Sequence, residues 1–222
     1  MDSTANSAAD GAGPENGPGL VTVAKHVAGA VAGVLDRRAE VDTMLDEEMP
    51  GRPAPRTPLV LAIDGRSGSG KTLLAHAVAV ELRADAAPDV AVLALEDLYL
   101  GWDGLQEGLD AAAGLLADLA EGRPGSAPRW DWHAGRVDGA VTVAEPLPSV
   151  LVVEGCGAGS DTLAPFVDLL VWIEVPEEHR RRRTVARDGQ WAVPWEQWAA
   201  AESAVLARRD APALADLVVG SG

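Results

Sequence analysis

The chain has 222 residues, which is enough for one domain with appended segments or at most two small domains. It carries 34 Asp and Glu against 18 Lys and Arg, and the formal net charge of −16 disfavours nucleic acid and anionic membranes as partners. An anionic substrate must therefore be bound by a local cationic pocket, because the field of the whole protein repels it.

The sequence favours a cytoplasmic protein without a membrane partner. Cys156 is the single cysteine, so no internal disulfide can form, which is typical of a reducing compartment. No apolar stretch approaches the roughly 20 residues that cross a bilayer. The N-terminus lacks a basic segment followed by a hydrophobic one, and the four histidines lack zinc-ligand spacing.

The N-terminal quarter of the chain differs in composition from the rest. Residues 1–19 are rich in Ala, Ser, Asn, Gly and Pro and predict a disordered tail. Valines at intervals of four, four and three then predict an amphipathic helix, with acidic residues after it: Val23, Val27, Val31, Val34, then Glu40, Asp42, Asp46, Glu47 and Glu48. We interpret residues 20–58 as a helical extension with a Pro-rich linker, and residues 59–222 as the main domain.

Strands and helices alternate after residue 58. Short apolar runs predict five strands, at Leu59–Ile63, Asp89–Leu95, within 148–155, at Asp168–Val175 and at Ala215–Val219. Helical spacing predicts helices at 71–84, 105–119, Glu177–Asp188 and Pro194–Asp210. Asp138-Gly139 is a turn signal that predicts a small hairpin. Repeated strand–helix units with apolar strands indicate an α/β fold, in which helices cover both faces of a parallel sheet.

A glycine-rich segment follows the first strand. Gly65, four further residues and Gly70-Lys71-Thr72 match the phosphate-binding loop pattern in full, between a strand and a helix as that pattern requires. Glycines allow successive backbone N–H groups to face an anion, Lys71 suits the β- and γ-phosphates, and the Thr72 hydroxyl suits Mg²⁺. The predicted phosphate-binding residues of this loop are Gly65, Arg66, Ser67, Gly68, Ser69, Gly70, Lys71 and Thr72.

Two other strands end in carboxylates. Glu154 follows an apolar strand and is a candidate metal ligand with Thr72, the alternative being a surface glutamate that caps the strand. Glu96 and Asp97 follow another strand, where a carboxylate can accept the proton of a substrate hydroxyl. The alternative for this pair is a helix cap or a surface acidic pair.

Four segments in this order, "IDGRSGSGKT", "LEDLY", "VVEG" and "RRRRTVARD", resemble the uridine kinase-like group of P-loop kinases over roughly Leu59–Asp188. The resemblance implies a three-layer P-loop NTPase fold with a five-stranded parallel sheet, and transfer of the γ-phosphoryl of ATP to an alcohol. It places Glu96 at the position of the catalytic acid, where the family usually has Asp, and Asp97 is kept as the alternative.

The basic segment after the fourth strand resembles the arginine-rich lid of that family. Arg180, Arg183 and Arg187 recur at intervals of three and four and so share one helical face. Such a cluster can hold transferring phosphoryl oxygens, and the alternative is a solvated basic face. The resemblance favours the first reading, with Arg180 as a phosphate ligand and Arg183 and Arg187 as catalytic residues.

The acceptor site is predicted around a tryptophan-rich segment. Trp130 and Trp132 can stack on a planar base, or can pack the segment onto the domain. The predicted substrate-binding residues are Tyr99, Trp102, Arg129, Trp130, Asp131, Trp132 and Arg136. Trp172, Trp191, Trp195 and Trp198 are predicted to pack, and Cys156 to fill space.

These features predict an enzyme that uses ATP and Mg²⁺ to phosphorylate a small, nucleoside-like alcohol. The alternative is a nucleotide-binding regulatory protein that lacks catalysis. Residues 1–58 are candidates for a homodimer interface.

Overall fold

A computed structural model describes residues 18–49, 57–85, 87, 89–188 and 195–220. Residues 1–17 of the predicted tail, residues 50–56 of the predicted linker, and Trp191 lie outside this set.

The helices and strands follow one another largely as predicted. The helices are α1 (Pro18–Glu48), α2 (Lys71–Asp85), α3 (Leu105–Ala120), α4 (Glu177–Asp188), α5 (Trp195–Arg208) and α6 (Ala211–Leu214). The strands are β1 (Leu59–Asp64), β2 (Val90–Ala94), β3 (Gly125–Asp131), β4 (Arg136–Val143), β5 (Val150–Glu154), β6 (Leu169–Glu174) and β7 (Leu217–Gly220). Short 3-10 turns occupy Leu95–Asp97 and Ala164–Phe166.

Five of the strands form one parallel sheet in the order β2-β5-β1-β6-β7. Strands β1 and β5 are buried along their whole length, because helices cover both faces of the sheet. This confirms the predicted α/β, three-layer P-loop NTPase fold with a five-stranded parallel sheet flanked by helices.

Side chains alternate between the two faces of the sheet. Leu59, Leu61 and Ile63 of β1 share one buried cluster with α1 and α2. Val60 and Ala62 of the same strand belong to a second cluster, with α3 and α5. The carboxyl ends of β1 and β5 therefore emerge between two helical layers, at the edge where ligands bind in such sheets.

The predicted hairpin is present, but its turn is not at Asp138-Gly139. Strands β3 and β4 pair antiparallel and are connected through residues 132–135, with Gly135 at φ +64°. Asp138 and Gly139 lie inside β4, opposite the single β3 residue between Pro128 and Trp130, where the register of the pair shifts. Gly139 has φ +75°, so the dipeptide that suits a tight turn forms a β-bulge instead.

Helix α1 packs on the same side of the sheet as α2. Ala24, Val27 and Val31 are fully buried in the cluster that contains α2 and the sheet, whereas residues 39–45 are largely exposed. The division into an extension and a main domain at residue 59 stays a prediction.

By length and composition alone, Gly19–Leu45 of α1 could cross a membrane, with a mean hydropathy of 1.3. The prediction that no segment reaches that length is therefore wrong. A mostly buried core helix of a soluble protein and a signal sequence near the N-terminus satisfy the same test, and 17% of this segment is buried. The absence of a membrane partner stays a prediction.

Candidate functional site

The phosphate-loop residues connect the end of β1 to the start of α2. Gly65 and Gly68 have φ of +151° and +79°, in the region that favours glycine. A Cβ on Gly68 would lie 2.4 Å from the carbonyl oxygen of Arg180, so this glycine allows α4 to approach the loop closely. Phosphate binding by this loop stays a prediction.

Lys71, the first residue of α2, is 8% exposed and its Nζ donates to the carbonyl oxygen of Arg66 at 3.3 Å. Burial opposes the charged form, but the net pKa of Lys71 is raised, and the carboxylates of Glu202, Asp64 and Glu154 contribute to that rise. A cation is thus held beside the loop at neutral pH, as the binding of a polyphosphate needs.

Thr72 and Glu154 meet at the edge of the sheet, where the Thr72 hydroxyl donates to Oε1 of Glu154 at 3.1 Å. Burial raises the pKa of Glu154, and Lys71 and Thr72 oppose that shift. Both side chains supply the hard oxygen ligands that Mg²⁺ prefers. Among the residues that the structure describes, no three His, Cys, Asp or Glu side chains gather as a metal site. Binding of Mg²⁺ by Thr72 and Glu154 stays a prediction.

Asp64 is a buried residue of the site that sequence reasoning missed. Its carboxylate accepts the N–H groups of Gly65 at 2.7 Å, Gly157 at 2.9 Å and Gly159 at 2.8 Å. Burial raises the pKa of Asp64, against these hydrogen bonds and the nearby Lys71. The side chain ties the phosphate loop to the loop after β5. The available signal was a carboxylate directly after five apolar strand residues.

Glu202 of α5 is the second residue that sequence reasoning missed. It is 4% exposed, and its Oε1 accepts the N–H of Ser67 at 2.7 Å. The thiol of Cys156 donates to the same oxygen at 3.1 Å, and burial raises the pKa of that thiol to about 12. Cys156 is therefore protonated at neutral pH, consistent with a packing role. The available signal for Glu202 was an acidic residue on the apolar stripe of α5.

The arginines of α4 contact the backbone of the phosphate loop. Arg180 is 7% exposed and donates from its Nη1 to the carbonyl oxygen of Ser67 at 3.3 Å, and from its Nε to that of Val175 at 3.0 Å. Nη1 of Arg183 lies 3.5 Å from the carbonyl oxygen of Ser69. The side chain of Arg187 lies outside the described set. Phosphate binding by these arginines stays a prediction.

Glu96 and Asp97 are exposed in the turn after β2. The Glu96 carboxylate is close enough to Glu154 to contribute to the raised pKa of that residue. The indole of Trp132 donates to the backbone oxygen of Glu96 at 2.9 Å. The predicted acceptor segment thus contacts the turn that carries the predicted base.

The predicted acceptor aromatics form one cluster. The rings of Trp102 and Trp132 lie 4.7 Å apart, and those of Trp130 and Trp132 lie 6.5 Å apart. Trp198 is buried, as predicted, and its ring centroid lies 5.9 Å from that of Trp102 and 5.3 Å from that of Tyr99. Trp102 is 37% exposed, so this cluster combines packing with an accessible aromatic face.

Two predicted acceptor residues have structural contacts instead of an open face. Tyr99 is 3% exposed, its hydroxyl donates to the carbonyl oxygen of Cys156 at 2.8 Å, and burial raises its pKa well above the usual value. Asp131 accepts the N–H groups of His133 and Ala134 in the hairpin turn, and the Ala134 bond is the main reason for its lowered pKa.

Arg129 and Arg136 are exposed on the hairpin, and each contacts Asp138: Arg129 through the carbonyl oxygen at 3.1 Å, Arg136 through the carboxylate at 3.7 Å. Substrate binding by Tyr99, Asp131, Arg129 and Arg136 stays a prediction.

No protein-family model matches the sequence. Among solved structures, the chain is similar to a candidate uridine kinase from Bacillus stearothermophilus, with 22% identity and a TM-score of 0.55 over 82% of this chain and 98% of the other. It is also similar to a candidate fructose transport system kinase from Silicibacter sp. TM1040, with 22% identity and a TM-score of 0.58 over 90% and 98% of the two chains. The chain therefore shares its fold with these two structures.

Proposed function

We propose that this protein is an ATP- and Mg²⁺-dependent phosphotransferase that phosphorylates a hydroxyl of a small acceptor. The observation that carries the proposal is the phosphate loop with buried Lys71 on it and with Thr72 bonded to Glu154 at 3.1 Å. These groups stand together at the carboxyl edge of a parallel sheet, where this fold class binds ligands. The fold shared with two candidate kinases supports it.

Each residue has a part in the proposed reaction. The loop N–H groups and Lys71 hold the β- and γ-phosphates, and Thr72 and Glu154 would hold Mg²⁺, which would neutralise charge on the phosphates. Glu96 or Asp97 accepts the proton of the acceptor hydroxyl. In the same step, the hydroxyl oxygen of the acceptor bonds to the γ-phosphorus, and the bond between that phosphorus and the leaving ADP oxygen breaks. The arginines of α4 offset the negative charge that develops on the phosphoryl oxygens.

A nucleoside-like acceptor is the finer part of the proposal. The cluster of Trp102, Trp130 and Trp132 presents aromatic faces beside the turn that carries Glu96. A planar base can stack on such faces. One of the similar proteins is named for uridine and the other for fructose, so both names refer to small polyhydroxylated compounds.

The test measures ADP release from ATP and Mg²⁺ with a panel of nucleosides and sugars, for the wild type and for Lys71→Ala. We expect acceptor-dependent release by the wild type and a loss of about 100-fold or more in the variant, because the charge on the phosphates loses its partner. Lys25→Ala removes the other lysine, which is exposed on α1, and is the matched control.

Unchanged turnover in a folded Lys71→Ala variant would contradict the phosphotransferase proposal. Nucleotide binding without acceptor-dependent ADP release would instead identify a nucleotide-binding regulatory protein. Circular dichroism of both variants separates lost folding from lost chemistry.

A further inference from the structure

Helix α5 carries a carboxylate into the core beside the phosphate loop. Its buried residues are Trp198, Glu202 and Val205. Oε1 of Glu202 accepts the Ser67 N–H at 2.7 Å and the indole N–H of Trp198 at 3.1 Å. A carboxylate from a distant helix is therefore bonded to a backbone N–H inside the glycine-rich loop.

The cations of the loop lie around the same carboxylate. Nη1 of Arg66 is 3.9 Å from Oε2 of Glu202, and Glu202 is among the groups that raise the pKa of Lys71. Loop N–H groups together with nearby cations are what a phosphate-binding loop offers to an anion. Glu202 thus uses, from within the protein, part of the binding capacity that the loop would offer to phosphate.

A bound triphosphate would bring several negative charges beside this buried carboxylate. Like charges at close range in a low-dielectric site repel strongly. The loop cations that offset the charge of Glu202 are the same cations that would offset the charge of the phosphates. Binding must then either displace the carboxylate from Ser67 or tolerate the repulsion.

We propose that Glu202 is an autoinhibitory carboxylate that competes with nucleotide phosphates for the loop and lowers nucleotide affinity. The inference rests on the proposed function, because it assumes that the loop binds a triphosphate. It predicts a gain of affinity when the charge is removed, whereas a residue that only maintained the fold would give no change or a loss.

The test is calorimetric titration of the full chain with Mg²⁺ and the β,γ-imido analogue of ATP. Glu202→Gln keeps an oxygen that can accept the Ser67 N–H but has no charge. We expect it to bind at least about fivefold more tightly than the wild type, the lower end of ordinary couplings between sites. Glu196→Gln removes an equal charge from an exposed position on the same helix and should leave the affinity unchanged.

Equal or weaker binding by folded Glu202→Gln overturns the inference. If thermal melting shows that this variant is unfolded, Glu202→Ala is judged by the same criterion. If the wild type binds the analogue, Lys71→Ala does not bind it and Glu202→Gln binds it as the wild type does, then this inference is wrong and the proposed function stands. If neither the wild type nor either Glu202 variant binds the analogue, both this inference and the proposed function are wrong.

Discussion

The two carboxylates after β2 differ in their surroundings, although their sequence positions are adjacent. Glu96 is near enough to Glu154 to affect its pKa, and its backbone oxygen is fixed by the indole of Trp132. A base must reach the acceptor hydroxyl while that oxygen attacks a phosphorus beside the metal ligands. Glu96 is therefore the better placed of the two.

We expect Glu96→Gln to lower kcat by about 100-fold or more with little change in the KM for ATP, since it removes a proton acceptor and leaves the loop intact. Asp97→Asn is the matched comparison and should retain most of the activity. Steady-state kinetics of both variants with one acceptor gives the answer. The assignment is wrong if Asp97→Asn is the more damaging change.

At the scale of elements, the contact between α4 and the phosphate loop depends on one glycine. A Cβ on Gly68 would lie 2.4 Å from the Arg180 carbonyl oxygen and 2.9 Å from the Thr184 hydroxyl oxygen. The φ of Gly68 is +79°, which a residue with a Cβ adopts only at a cost. The loop and α4 thus form one packed unit.

Gly68→Ala should lower the free energy of unfolding by about 2 to 5 kcal/mol, the sum of the backbone and overpacking costs. Gly114→Ala is the control, because that helical position is exposed and a Cβ added there would have no neighbour within 4 Å. It should stabilise the protein by roughly 0.5 to 1 kcal/mol. Urea denaturation measures both. A Gly68→Ala variant as stable as the wild type would contradict the tight contact.

Local pattern was sufficient to predict the strands and helices of the sheet, because fully apolar runs and 3.6-residue periodicity are local properties. The hairpin turn was misplaced because Asp-Gly suits a tight turn and also a bulge, and the pairing of β3 with β4 decides between them. The phosphate loop and Glu154 were predicted from their motif and strand end. Asp64 and Glu202 were missed because their contacts span 93 and 135 residues of sequence.

At the scale of the whole molecule, a net charge of −16 surrounds a few buried or half-buried cations at one edge of the sheet. Lys71, Arg66, Arg180 and Arg183 all contact the loop or belong to it. An anionic substrate gains little from the overall field and depends on short-range contacts here. This cluster of cations agrees with the expectation, drawn from the net charge, that an anionic substrate would need a local cationic pocket.

Helix α1 lies before residue 59, and its packing suggests a test of whether these residues fold together with the sheet. Val27 is fully buried in the cluster shared by α1, α2 and the strands, whereas Val21 of the same helix is 46% exposed. The substitution Val27→Asp would place an unpaired charge in that cluster, or detach the helix and expose the apolar surface of α2. Either response destabilises the sheet if α1 is part of its folding unit.

Unfolding should therefore remain a single cooperative transition in Val27→Asp, with a free energy of unfolding lower by more than about 3 kcal/mol. The free energy of unfolding of Val21→Asp should stay near that of the wild type. Thermal and urea unfolding followed by tryptophan fluorescence reports on the sheet side, because the seven tryptophans all lie after residue 100. An unchanged fluorescence transition alongside a loss of helical circular dichroism would show that α1 is a separate extension. A joint loss of both signals at lower denaturant would show that the folding unit begins before residue 59.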